Sequence, residues 1–268
     1  MKNLFTSATA GICLVLALFV SSCSDTVEEE ITSNDLPADI PVEIQDKFQE
    51  MGICSGSIER QGENYLVEGD IVFTPEALAD MTEMVSVPGP AGEEQYRTCN
   101  IVNCDGGRVI RVRSYITSGS ISTGINYAIS NYNALNLCLT FQRVYSGAAD
   151  ISIYSTSGSG GSAGFPGGGN PYSTVYLGSG IAAYGSQVAE HVATHEIGHC
   201  IGMRHSDYFN RSFSCGGGGS EGSAGVCAIH IPGTPTSYDA NSVFNSCFSA
   251  GTNGEFSSYD RIALEYLY

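Results

Sequence analysis

The sequence contains no run of lysine or arginine, and its 11 basic residues are outnumbered by 28 acidic ones. Nucleic acid and anionic membrane surfaces are bound through basic patches, so this balance argues against both as partners. Past the N-terminal stretch, no segment is apolar and long enough to span a bilayer, which takes roughly 20 consecutive apolar residues. No internal repeat is visible, and methionine is absent after Met203. What the 268 residues do have is an ordinary apolar fraction of 42%, enough for a real core, and ten cysteines.

Residues 1–22 read as a signal peptide: Lys2 gives a positive start, residues 8–20 form a short apolar run, and Ser21 and Ser22 precede Cys23. The string Val20-Ser21-Ser22-Cys23 resembles a bacterial lipobox, which implies a lipid on Cys23. Ordinary signal cleavage nearby is the alternative. Setting aside Cys13 and Cys23 leaves Cys54, Cys99, Cys104, Cys138, Cys200, Cys215, Cys227 and Cys247. An even number in an exported chain points to disulfides, with connectivity left open.

Residues 23–41 are acidic and lack core-forming clusters, which suits a flexible tether. Residues 42–95 hold a small structured segment and a linker. Tyr65-Leu66-Val67 and Ile71-Val72-Phe73 flank Glu68-Gly69-Asp70, and Thr74-Pro75-Glu76 opens a helix with Thr74 as N-cap. Pro88-Gly89-Pro90 lies in an aperiodic stretch that reads as a cleavable linker. Residues 96–268 form the second domain. Val109 to Arg113 has strand character, and Ile121, Ile125, Ala128 and Ile129 mark an amphipathic helix. Strands follow at Ile151 and Thr174, separated by a Gly/Ser-rich loop over residues 157–170, and Ser257 with Asp260 suits the start of a last helix. The order is α+β with a mixed sheet.

The chemistry concentrates in His195-Glu196-Ile197-Gly198-His199-Cys200-Ile201-Gly202-Met203-Arg204-His205. On a helix, His195 and His199 lie one turn apart on one face, so both can reach a single metal ion. Ala193, Ile197 and Ile201 share the opposite face and would pin it to a core. Gly202 can take a left-handed conformation and end the helix, after which His205 approaches the same metal. Three neutral nitrogens and an open fourth position describe a catalytic zinc site. Glu196 is positioned to take a proton from the attacking water and return it to a leaving amine. His191 also stands one turn from His195; His205 completes only the later pair, so His191 is expected as a supporting or exposed residue. His230, in a Pro/Gly-rich segment, is expected in a loop.

The stretch from His195 to His205 resembles the extended zinc motif of the metzincins, and His-Glu-Ile-Gly-His followed by Ser206-Asp207 is similar to the bacterial HEIGH-type, myroilysin-like metallopeptidases. Further matches are Val67-Glu68-Gly69-Asp70-Ile71, Ala163-Gly164-Phe165-Pro166, His230-Ile231-Pro232-Gly233-Thr234-Pro235 and Ser242-Val243 before Asn245. The resemblance implies a twisted mixed sheet, a backing helix, a zinc-site helix and an irregular C-terminal subdomain ending in a helix. The expected protein is a secreted zinc endopeptidase acting on proteins or peptides, a monomer with residues 96–268 as its catalytic domain. Relatives carry a methionine in a turn under the zinc; the equivalent here is Phe244, which raises the alternative of an impaired, protease-like surface binding lipoprotein.

The string Glu68-Gly69-Asp70-Ile71 resembles the astacin pro-segment, which makes Asp70 the first candidate for a latency ligand on the zinc. Cys54 is the rival, since a thiolate binds zinc well, although using it would leave an odd cysteine among the remaining seven. A lipid on the pro-segment side of the linker implies an enzyme released from the bacterial cell envelope on maturation. A structural calcium in the 157–170 loop rests on glycine-rich composition alone.

Overall fold

The computed structural model describes residues 40–51, 53, 58–80, 95–235 and 237–268. The signal peptide, Cys23, most of the acidic tether, Cys54 and the 85–94 linker lie outside the described residues.

The described chain begins with helix α1 (Val42–Glu50), followed by strands β1 (Ile58–Gln61), β2 (Asn64–Val67) and β3 (Ile71–Phe73) and helix α2 (Pro75–Asp80). Thr74 accepts from the Ala77 amide at 3.1 Å, capping α2 as expected. Apolar side chains of this segment, among them Ile40, Phe48, Ile53, Tyr65, Ile71, Phe73 and Leu78, make a core that also takes in Ala224 from the C-terminal part. Phe48 anchors it edge-on to Tyr65 and Phe73, with ring centroids 5.8 and 5.5 Å away.

The second core is built by β5 (Arg108–Ser114), α3 (Gly119–Ala134), β6 (Leu139–Val144), β7 (Ile151–Thr156), β8 (Gly161–Ala163), β9 (Thr174–Gly178) and α4 (Gly185–Ile201). The short strand β4 (Tyr96–Arg97) precedes these elements. Ile121, Ile125, Ala128 and Ile129 of α3 are all buried, as their spacing predicts. One eight-stranded sheet runs β1-β2-β3-β8-β9-β7-β5-β6. Strands β5, β6, β7 and β9 are mutually parallel, and β8 is antiparallel to β9. The N-terminal strands join this sheet through the parallel pair β3–β8, where Ile71 faces Ala163. The expected α+β class with a mixed sheet is the one observed.

Strand β8 corrects the reading of residues 157–170 as loop. Its glycines hide a strand from propensity, yet close packing requires them: a Cβ on Gly161 would fall 2.5 Å from Glu196 Oε1. Helix α5 (Ser212–Cys215), strand β10 (Ile229–His230) and helix α6 (Ser258–Leu267) complete the chain. His230 is therefore not a loop residue; it pairs with Tyr96 in the β4–β10 ribbon. Ser257 and Asp260 form a capping box at α6. The disulfides Cys99–Cys227, Cys104–Cys138 and Cys215–Cys247 tie the irregular parts together. Pairing is not complete, however: Cys200 is free and buried in α4, where desolvation pushes its thiol up and it packs as a small apolar group. Among the described residues, no helix is long and apolar enough to cross a membrane.

Candidate metal centre

Helix α4 packs against α3, β8 and β9 and presents His195 and His199 on one face. Gly202, at φ 113°, closes the helix in a left-handed conformation that glycine adopts without strain. The chain turns back through Met203 and Arg204, and His205 returns to the two histidines. Nε2 of His205 lies 3.2 Å from Nε2 of His195 and 3.3 Å from Nε2 of His199. A fourth group comes from the turn between β2 and β3: Asp70 Oδ2 is 2.9 Å from His205 Nε2 and 3.8 Å from His195 Nε2. All four ligand atoms fall within 4.8 Å of one another.

The outer ring nitrogens decide what this cluster suits. His195 Nδ1 donates to the Val243 carbonyl and His199 Nδ1 to the Met203 carbonyl, each at 2.8 Å. Both Nε2 lone pairs are thereby turned inward. Burial, with His195 and His205 nearby, holds the His199 imidazole well below its usual range, so it stays neutral. His205 is gripped by carboxylates on both nitrogens, Glu221 at 2.5 Å on Nδ1 and Asp70 on Nε2. Burial opposes charge on His205, but these two carboxylates outweigh it and push the ring well up. Tetrahedral zinc with bonds of about 2.0–2.1 Å separates its ligand atoms by about 3.3 Å, which matches the nitrogen spacing.

Glu196 is buried beside this cluster, with Oε2 unpartnered among the protein groups. Burial and the Asp70 charge hold its carboxyl well above the usual carboxylate range. Phe244 is fully buried against α4, its ring centroid 6.3 Å from that of His195. The motif glycine makes room for it, because a Cβ on Gly198 would meet Phe244 Cε1 at 2.1 Å. Asp260 holds the turn before Phe244 by accepting from the Val243 amide at 3.0 Å and from Ser242 Oγ at 2.7 Å.

His191 is buried rather than exposed, its Nδ1 2.9 Å from the Asn253 carbonyl, and it does not join the cluster. Two residues escaped sequence reasoning. Glu221 is 1% exposed and joins His205 to Arg204 Nη2 at 3.2 Å. Arg211 reaches Glu221 at 3.4 Å and pairs with Glu68. Glu221 is the one charged side chain within the glycine-rich run from Gly216 to Gly225, and that isolation is its signal in the sequence. Arg211 left no comparable trace. In the 157–170 stretch there is no carboxylate, so nothing there supports a calcium site.

No curated protein matches this chain. Among solved structures, a myroilysin structure aligns at 18% identity over 60% of this chain and 79% of its own, with a TM-score of 0.41. A second myroilysin crystal structure aligns at 21% identity over 74% of this chain and 99% of its own, with a TM-score of 0.38. High choriolytic enzyme 1, a hatching-enzyme zinc protease from the medaka Oryzias latipes, aligns at 19% identity over 62% of this chain and 92% of its own, with a TM-score of 0.38. The model of the dual-action HEIGH metallo-peptidases matches residues 65–268. The chain belongs to that family and is a zinc metallopeptidase.

Proposed function

We propose that this protein is an exported zinc endopeptidase made as a latent precursor, with His195, His199 and His205 holding the metal and Glu196 handling the proton. The observation that carries the reading is the inward convergence of three Nε2 atoms, each ring backed on Nδ1 by a carbonyl or carboxylate. A zinc ion held there supplies Lewis acidity to the scissile carbonyl and acidifies the attacking water. Glu196 takes the proton from that water and delivers it to the leaving amine. Phe244 takes the place of the methionine turn as an apolar support for His195.

Residues 42–95 act as the pro-segment. Asp70 is the latency ligand: its Oδ2 stands where a fourth zinc ligand would, and β3 lies along β8 at the rim of the cleft. Cysteine parity no longer weighs against Cys54, since Cys200 is already unpaired. Three disulfides favour an oxidising compartment, in keeping with export. The linker at 85–94 is the maturation site, and a lipid on Cys23 would stay with the pro-segment.

The test is cleavage of an unfolded protein substrate by the full chain after limited proteolysis within residues 85–94, beside a Glu196→Ala copy. Cleavage that a chelator stops, and that the variant lacks by about 10²–10⁴-fold, supports the assignment. Zinc binding without cleavage by either protein sinks it and favours the binding-protein alternative.

A further inference from the structure

The cavity beside the zinc site has a volume of about 160 Å³, and its walls include His195, Glu196 and Arg211 together with Glu68 and Asp70 of the pro-segment. Arg211 grips Glu68 twice, through Nη1 to its carboxylate and through Nη2 to its carbonyl at 3.1 Å. Glu68 takes a positive φ of 58°, unusual for a residue with a side chain, so the turn that delivers Asp70 is held against local preference. Both partners are largely buried, with 15% and 10% of their side chains exposed.

Removing the pro-segment takes two carboxylates, Glu68 and Asp70, out of this pocket. Arg211 keeps Glu221 on its Nε at 3.4 Å, but Glu221 is already shared with Arg204 and His205. The other cavity-lining residues of the C-terminal part are Gly160, Gly161, Val192, Ser246, Cys247 and Phe248, none of which carries a charge. An Arg fork directed into a half-buried pocket, next to a divalent cation, recognises a carboxylate bidentately. Resting on the peptidase reading, we propose that Arg211 is a specificity-determining residue: the mature enzyme selects substrates that place a carboxylate within two residues of the scissile bond, against Arg211 where Glu68 stands in the precursor. That carboxylate comes either from a Glu or Asp side chain or from the end of the substrate chain.

The experiment uses the zinc-loaded protein matured from the full chain and three peptide sets. One is C-terminally amidated and scans a single Glu, Gln or Lys across positions flanking the cut. The second is neutral with a free C-terminus, and the third is neutral and amidated. A Glu-over-Gln preference of about 10- to 100-fold in kcat/KM assigns a side-chain carboxylate. Cuts clustered at the free end in the second set alone assign the terminal carboxylate. Arg211→Glu should invert the ratio toward Lys; should that variant not fold, the wild-type ratios still decide. Equal cleavage of Glu, Gln and neutral peptides, or a Lys preference in the wild type, overturns the specificity proposal while leaving the peptidase reading standing. Cleavage of no peptide in any set overturns both.

Discussion

Replacing Glu221 with glutamine should weaken zinc binding by about 10- to 100-fold, or about 1.4–2.8 kcal/mol. Glu221 is 1% exposed and accepts from His205 Nδ1 at 2.5 Å, Arg204 Nη2 at 3.2 Å and Ser246 Oγ at 3.1 Å. Burial resists its ionisation, but the charges of His205 and Arg204 overcome this and bring its pKa down to about 2. It is therefore a carboxylate at working pH, and it both orients the His205 ring and makes Nε2 a better donor to the metal. Glutamine keeps the volume and one acceptor oxygen but forfeits the charge. The same change strands Arg204, which is fully buried. Breaking a buried pair costs about 3–5 kcal/mol; here Arg204 still donates to the carbonyls of Gly222, Ser223 and Cys227, so a loss of about 2–4 kcal/mol is expected. Competition with a zinc-binding dye on the full chain reads the first quantity, and urea unfolding of the metal-free chain reads the second. Zinc affinity within about twofold of the parent, together with the full loss of stability, would refute a role for Glu221 in holding the ligand.

Asp70→Ala in the full, uncut chain should release measurable peptidase activity that the uncut parent lacks; equal latency in both would transfer the blocking role to another group. Gly198→Ala should destabilise the fold by about 1–3 kcal/mol, because its Cβ would meet the Phe244 ring at 2.1 Å, and Phe244→Leu in the same chain should recover part of that loss. Additive losses in denaturant would show that the two do not touch. His191, with its pKa pushed down to about 4 mainly by burial, stays neutral in the fold while the unfolded chain takes up a proton near pH 6.5. Stability should therefore fall as pH drops from 6.5 to 4, by at most about 3 kcal/mol from this group. His191→Asn should narrow its stability gap to the parent across that window, and a gap independent of pH would count against the assignment.

The zinc helix was legible in the sequence because its information is local. His195 and His199 need only a helical repeat to converge, Ile197 and Ile201 mark the apolar face opposite them, and Gly202 supplies the left-handed stop. Thr74 and the Ser257–Asp260 box announced their helices for the same reason: caps act within three residues. Asp70 was visible only through its resemblance to a pro-segment motif. Strand β8 was not legible, because strand propensity reads side chains, whereas Gly161 is there to leave room for Glu196. Three further assignments waited on the tertiary structure. Glu221 reaches His205 across 16 residues and Arg211 meets Glu68 across 143, distances over which chain spacing carries no directional information. Cys200, free and buried among the described residues, packs into the core around α4, and a count of cysteines cannot report direction. The sequence by itself determined the metal and the helix that presents His195, Glu196 and His199. Only the folded chain decided which buried charges orient the ligands and what fills the cleft, since those contacts are made by side chains that packing, not spacing, brings together.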